Sequence, residues 1–122
     1  MGAELAVTAA NKGTVGLNGF NDTLLVKIKL PAPGTCVVLG RAMVRNHDSD
    51  PQFMSGKILH QANVEIDRLE VYSDGGDRIC MALQGTVNAE ENELVTLECN
   101  TYKGDASFGS LIAFLVDKLI VQ

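Results

Sequence analysis

The segment Thr35-Cys36-Val37-Val38-Leu39-Gly40-Arg41-Ala42-Met43-Val44-Arg45-Asn46 decides how the rest of the chain is read. Its even positions, Cys36, Val38, Gly40, Ala42 and Val44, are apolar or small, and its odd positions end in Arg41, Met43 and Arg45. In an extended chain successive side chains point to opposite faces. A period of two therefore describes a strand with one buried and one wet face, and Cys36 falls on the buried one. Immediately upstream, Thr23–Leu30 repeats the pattern, with Leu24, Val26, Ile28 and Leu30 in phase and Lys27 and Lys29 among the alternate positions. Pro31-Ala32-Pro33-Gly34 separates the two strands, because proline has no N–H to give to a ladder and glycine permits the turn.

Downstream, Asn46-His47-Asp48-Ser49-Asp50-Pro51 is a polar loop. Phe53–His60 is a weaker strand, interrupted by Ser55-Gly56. Asn63–Tyr72 changes phase: Val64 and Ile66 share one parity, Leu69 and Val71 the other, and a β-bulge at Asp67-Arg68 would keep both pairs inward. Asp74-Gly75-Gly76-Asp77 has the composition of a hairpin turn. Arg78–Val87 gathers Ile79, Met81, Leu83 and Val87 on one face, with Cys80, Gln84 and Thr86 on the other. After the acidic loop Asn88–Glu93, the segment Leu94–Lys103 puts Val95, Leu97, Cys99 and Thr101 inside and Thr96, Glu98, Asn100 and Tyr102 outside.

The last segment, Ser110–Gln122, is different, because Leu111–Val116 is apolar on both faces. A helix would gather Asp117 and Lys118 on a polar side, but the β-branched content and the preceding alternation favour a strand. A strand buried on both faces is central in a sandwich or covered by another subunit. Leu111, Ile112, Phe114 and Val116 are accordingly the expected oligomer interface.

Composition bounds the function. The chain has 122 residues, enough for one domain spanning residues 1–122. It is 46% hydrophobic but only 5% aromatic, with 14 Leu, 12 Val, 6 Ile and no Trp. So much aliphatic surface argues against disorder, and no run approaches the roughly 18 apolar residues of a membrane-spanning helix. The net charge of −5 and the singly scattered Lys and Arg argue against nucleic acid, whose affinity rests on phosphate neutralisation. Met1-Gly2-Ala3-Glu4-Leu5 has neither a basic nor an apolar leader region, and Ala6 stands where myristoylation needs Ser or Thr. About eight strands with short turns lead to an all-β class: an antiparallel β-sandwich with jelly-roll topology.

The order of these pieces resembles a known family. Leu30-Pro31-Ala32-Pro33-Gly34-Thr35-Cys36-Val37-Val38-Leu39-Gly40 gives a strand, a proline–glycine turn and a long strand. Leu97-Glu98-Cys99-Asn100-Thr101-Tyr102, a loop at Lys103–Gly109 and the terminal strand Ser110–Val116 close the chain. Over about residues 20–120 this resembles the C1q and tumour-necrosis-factor jelly-roll modules, including their bacterial and phage relatives. The resemblance implies a ten-strand-class jelly roll that assembles as a homotrimer and acts as a recognition head. The thin aromatic content points to a microbial or viral module, for which a virion or a cell surface is the natural place.

Candidate chemistry is sparse. Asp48 and Asp50 sit two apart in a loop, a spacing that suits the oxygen ligands of Ca²⁺, but the glycine and glutamate of an EF-hand are missing and a solvated loop is the simpler reading. Asp74 and Asp77 offer a second such pair in what is ordinary turn chemistry. Glu90-Glu91-Asn92-Glu93 reads as a charged loop that discourages edge pairing. His47 and His60 are the only histidines, and no Gly-x-Ser-x-Gly elbow accompanies them. Cys36, Cys80 and Cys99 form no Cys-x-x-Cys, and read as free thiols, with a Cys36–Cys99 disulfide as the alternative. Asn21-Asp22-Thr23 and Lys103-Gly104-Asp105 match short motifs that arise by chance. Tyr72 and Tyr102 carry outward parity, with Phe53 and Phe108 at loop edges. They are the candidate ligand-binding residues, for a glycan or a protein, against packing of amphipathic rings at the rim. The expectation is a non-enzymatic module without a cofactor, Ca²⁺ aside.

Overall fold

Period-two alternation, broken at a few bulges, marks the strands of the computed structural model, which describes residues 6–19, 21–117, 119–120 and 122, with Lys12 described by its backbone alone. Among the described residues there are eight strands and no helix. They are β1 (Ala6–Leu17), β2 (Thr23–Lys29), β3 (Gly34–Asn46), β4 (Gln52–His60), β5 (Val64–Ser73), β6 (Arg78–Ala89), β7 (Leu94–Thr101) and β8 (Gly104–Leu115). Two antiparallel four-stranded sheets result, one in the order β1-β8-β3-β6 and the other β2-β7-β4-β5. Only β4 and β5 are both consecutive and paired; every other connection crosses between the sheets, and that makes the sandwich a jelly roll.

The core lies between the two sheets and is aliphatic and sulfur-containing. Cys36, Val38, Ala42, Val44, Met54, Ile58, Met81, Val95, Leu97, Leu111 and Ala113 are all fully enclosed. The inward parities expected for β3, β6 and β7 are those observed, except that Thr96 of β7, expected on the outer face, is buried as well. Cys36 and Cys99 are buried and Cys80 is exposed, and all three are free thiols.

Several expectations are corrected. Strand β1 was not read from the sequence, because its Ala, Gly and Thr residues carry little hydrophobic contrast. In β2 the register shifts between Leu24 and Val26, so Leu25 turns inward and Leu24 is exposed, against the simple parity. The expected bulge in β5 exists one residue early. Ile58 pairs with Asp67 and Leu59 with Glu65, which leaves Ile66 as the extra residue and Val64 exposed. Asp74–Asp77 does not join a hairpin but carries the chain from one sheet to the other. The hairpin is at Gln61-Ala62, both of which adopt positive φ, 56° and 65°, without the Asn-Gly that usually announces such a turn. The stretch read as the loop Lys103–Gly109 is mostly strand, since β8 begins at Gly104 and ends at Leu115. Eight strands, not ten, build the described sandwich.

Both open sides of the sandwich are tied by side chains. Asn11 of β1 donates from Nδ2 to the carbonyl of Leu25 in β2 at 3.2 Å. On the other side the carboxylate of Asp67 in β5 accepts the backbone N–H of Gln84 in β6 at 2.9 Å. The Ile66 bulge fits there because residue 85 is glycine: a Cβ at that position would stand 2.1 Å from Ile66 Cγ2.

Candidate functional site

The described aromatic residues lie outside the core. Of the six in the chain, Phe53, Tyr72, Tyr102 and Phe108 are each more than 60% exposed. An exposed aromatic carries more information than an exposed aliphatic, because burying a ring is worth more and so leaving it out costs more.

Three of these rings form a row. Phe53 in β4 pairs in register with Tyr72 in β5, and their ring centroids lie 4.9 Å apart at 58°, a tilted contact. Tyr102 follows Thr101, the partner of Met54, and so lies across from Phe53 on the other side. The row therefore crosses β7, β4 and β5 on the outer face of their sheet. The next outward row in the same register is Asn100–Ser55–Glu70, and the one after it is Glu98–Lys57–Arg68. Lys57 is held by Asp22 at 2.6 Å. Gly19 closes the Tyr102 end with φ +80°, and a Cβ there would stand 2.8 Å from the Tyr102 Cα, so only glycine allows this approach.

Aromatic and polar rows together line a shallow groove of about 400 Å³, bounded by Gly19, Pro51, Phe53, Glu70, Tyr72 and Tyr102. Asn100 donates from Nδ2 to the Gly19 carbonyl at 3.4 Å, while its Oδ1 is buried without a partner among the described residues. Rings that stack on C–H faces, beside a carboxylate and an amide that pair with hydroxyls, are the chemistry of a polyol or peptide site. Tyr72 and Tyr102 were legible from strand parity, and the structure brings them to one groove. The central place of Phe53 and the polar row beside it were not legible, because they depend on which strands are neighbours.

The opposite sheet presents a second outer face. From β8 it shows Ile112 and Phe114, and from β3 Val37, Leu39 and Met43, with Phe108 at one side. Leu111 points the other way and is fully buried in the chain's own core, so it cannot touch a second chain. Val116 lies just past β8, and its N–H donates to the Thr35 carbonyl at 2.9 Å.

The polar loop contains a network that the sequence reading missed. Asn46 is fully buried. Its Nδ2 donates to the carbonyls of Asp50, Ser73 and Asp74 at 3.1, 3.3 and 3.1 Å, and its Oδ1 accepts from the N–H of Asp48 at 2.8 Å and from Gln52. Gln52 exchanges two further bonds with the backbone of Lys103, at 2.7 and 3.0 Å. The Asp48 carboxylate accepts the N–H of Asp50 at 3.4 Å, and no group of three or more His, Cys, Asp or Glu side chains converges among the described residues. His47 pairs with Asp105, and His60 with Glu93 at 2.8 Å. Glu93 also accepts the N–H of Glu90, and this bond, with that from His60, holds its carboxyl below the usual carboxylate range. Burial pushes the Cys36 thiol up and the Cys99 thiol to about 12, so neither is a nucleophile in the folded chain.

No protein-family model matches the sequence, and no curated protein matches it. Solved structures do match. A structure of infectious bursal disease virus, strain Gx, superposes with a TM-score of 0.63 at 12% identity, over 98% of the present chain and 35% of the viral one. The globular domain of zebrafish complement 1qA superposes with a TM-score of 0.56 at 9% identity, over 96% of the present chain and all of that domain. The fold is a jelly roll like that of this C1q domain. The VP2 chain of an infectious bursal disease virus subviral particle matches as well, with a TM-score of 0.56 at 13% identity over 92% of the present chain and 33% of VP2. This chain thus spans about one third of each viral chain and the whole of the C1q domain. At such identities the likeness is one of fold, and the C1q-type resemblance read from the strand order holds at that level.

Proposed function

We propose that this C1q-type jelly roll is a non-catalytic module that associates with copies of itself, as a homotrimer, and serves as a structural or recognition head. The observation that supports self-association is the outer face of β8 and β3, where Leu39 and Ile112, paired in register, are 40% and 38% exposed beside the pair Val37 and Phe114. A contiguous apolar face of this kind marks an interaction surface. A neighbour known from a subviral particle supports the same reading. Light scattering tests it: about three chains per particle are expected, and Ile112→Asp, on the outer face, returns the particle to one. A monomer before mutation overturns the trimer.

A second reading, glycan binding, is favoured by the row Tyr102–Phe53–Tyr72 and the polar row beside it. Titration or a glycan array on Tyr72→Ala and Tyr102→Ala is the measurement. Loss of roughly 1–3 kcal/mol per stacked ring is the expected order, and undiminished binding in both variants removes the tyrosines from the site. A protein ligand in the same groove would show the same mutational pattern without a signal on the array.

A further inference from the structure

We propose that the pocket between Arg45, Arg78, Thr14 and Ser107 binds an oxyanion, a carboxylate or phosphate group. It lies on the outer face of the β1-β8-β3-β6 sheet, at the end away from Ile112 and Phe114, and does not depend on the aromatic groove.

The register makes the case. Arg45 of β3 pairs with Arg78 of β6 on one side and with Asp105 of β8 on the other. Two guanidinium groups directly opposite each other on adjacent strands repel. The expected remedy is a carboxylate bridging them. Asp105, the one carboxylate in the row, is engaged by His47 instead, and neither Arg45 nor Arg78 has an ion pair among the described residues. The same chain carries 15 Asp and Glu against 10 Lys and Arg, so acidic groups are not scarce.

A second observation is independent of the charges. The Nε of Arg45 is buried and has no hydrogen-bond partner. Buried donors in folded proteins are almost always satisfied, yet no protein acceptor among the described residues holds this guanidinium through its Nε. Thr14 and Ser107, paired in register across β1 and β8, bring two hydroxyls to the same pocket as the two arginines, and neither hydroxyl has another partner among the described residues. Met43, Phe108 and Asp105 complete the wall, and the Asp105 carboxylate, which an anion would face, is paired with His47. Phe108 stands at a bulge in β8, with φ +53°, a backbone region that bulky residues avoid. Its ring is thereby turned to the outer face, beside the arginines. The pocket measures about 220 Å³, below the roughly 300–1,000 Å³ of sites for drug-sized molecules, and it suits one small anionic group. Guanidinium forks and hydroxyl donors recognise such a group by charge-assisted, bidentate bonds.

Calorimetric titration with inorganic phosphate and with acetate, at constant ionic strength, tests the proposal. Saturable binding by the natural chain is expected, and Arg78→Gln weakens it by about tenfold or more. Arg78 is exposed, so this variant keeps the fold, which circular dichroism checks. Ser107→Ala, a smaller change, weakens binding by a few-fold and serves as the second variant. Tighter phosphate than acetate identifies a phosphate-bearing ligand, and the reverse a carboxylate. No saturable binding of either anion, or equal binding by the natural chain and Arg78→Gln, overturns the site.

Discussion

One buried amide governs much of the loop end of this molecule. Asn46 ends β3 at a position where parity would place an apolar side chain, and it spends every donor and acceptor on the loops at residues 48–52 and 73–74. Removing a partner from a satisfied buried network leaves the others orphaned, at about 1–3 kcal/mol each. Asn46→Ala is therefore expected to lower stability by about 2–4 kcal/mol, read as a reduced urea midpoint; a loss within about 0.5 kcal/mol, the range of neutral surface changes, would show that water replaces the side chain. Glu93 gives a pH dependence with a definite sign. Its folded pKa is depressed, so its contribution is fully present above the unfolded value near about 4.3 and is lost as pH falls through the folded one. Glu93→Gln should flatten the decline of thermal stability below about pH 4.3 while leaving it unchanged in slope near neutrality. An undiminished decline would assign it to other carboxylates. Asn46 was legible only as part of a polar loop, since nothing in a sequence marks an asparagine that will be fully enclosed.

At the scale of elements, alternation located six of the eight described strands, because hydrophobic contrast along each can be counted, and β-branched content located β8, which is apolar on both faces. Strand β1 escaped because Ala9, Ala10, Gly13 and Gly16 give no contrast. Bulges were the other loss. That of β5 was inferred because two pairs of apolar residues disagreed in phase, but its position follows from a partner: Ile66 bulges where Gly85 of the facing edge leaves room. This yields a prediction about the pair. Gly85→Val should cost about 1–3 kcal/mol through overpacking, and much of that cost should vanish in an Ile66→Ala background. Equal costs in the two backgrounds, measured by denaturant unfolding in a double-mutant cycle, would show that the two residues do not meet. The shift in β2 has the same origin, since Leu25 rather than Leu24 turns inward to pack against Gly109.

For the whole molecule, the two sheets offer two different outer faces. One carries the Tyr102–Phe53–Tyr72 row and its polar neighbours; the other carries Ile112, Leu39 and Phe114 at one end and the arginine pocket at the other. If the second face joins copies of the chain, the melting temperature must rise with protein concentration by mass action, a readout that accompanies the light-scattering test. The sequence by itself determined the all-β class, the inward faces of β3, β6 and β7, the aliphatic core and the outward parity of both tyrosines. Each of these follows from local alternation, and a period of two requires no knowledge of neighbours. Only the tertiary structure decided which strands lie side by side. That choice assembled the aromatic row from three strands, set Arg45 beside Arg78, sent Leu111 to the core and Ile112 to the surface, and enclosed Asn46. Sites on a sandwich are built across strands, and the order of strands in a sheet is fixed by packing between segments far apart in the chain.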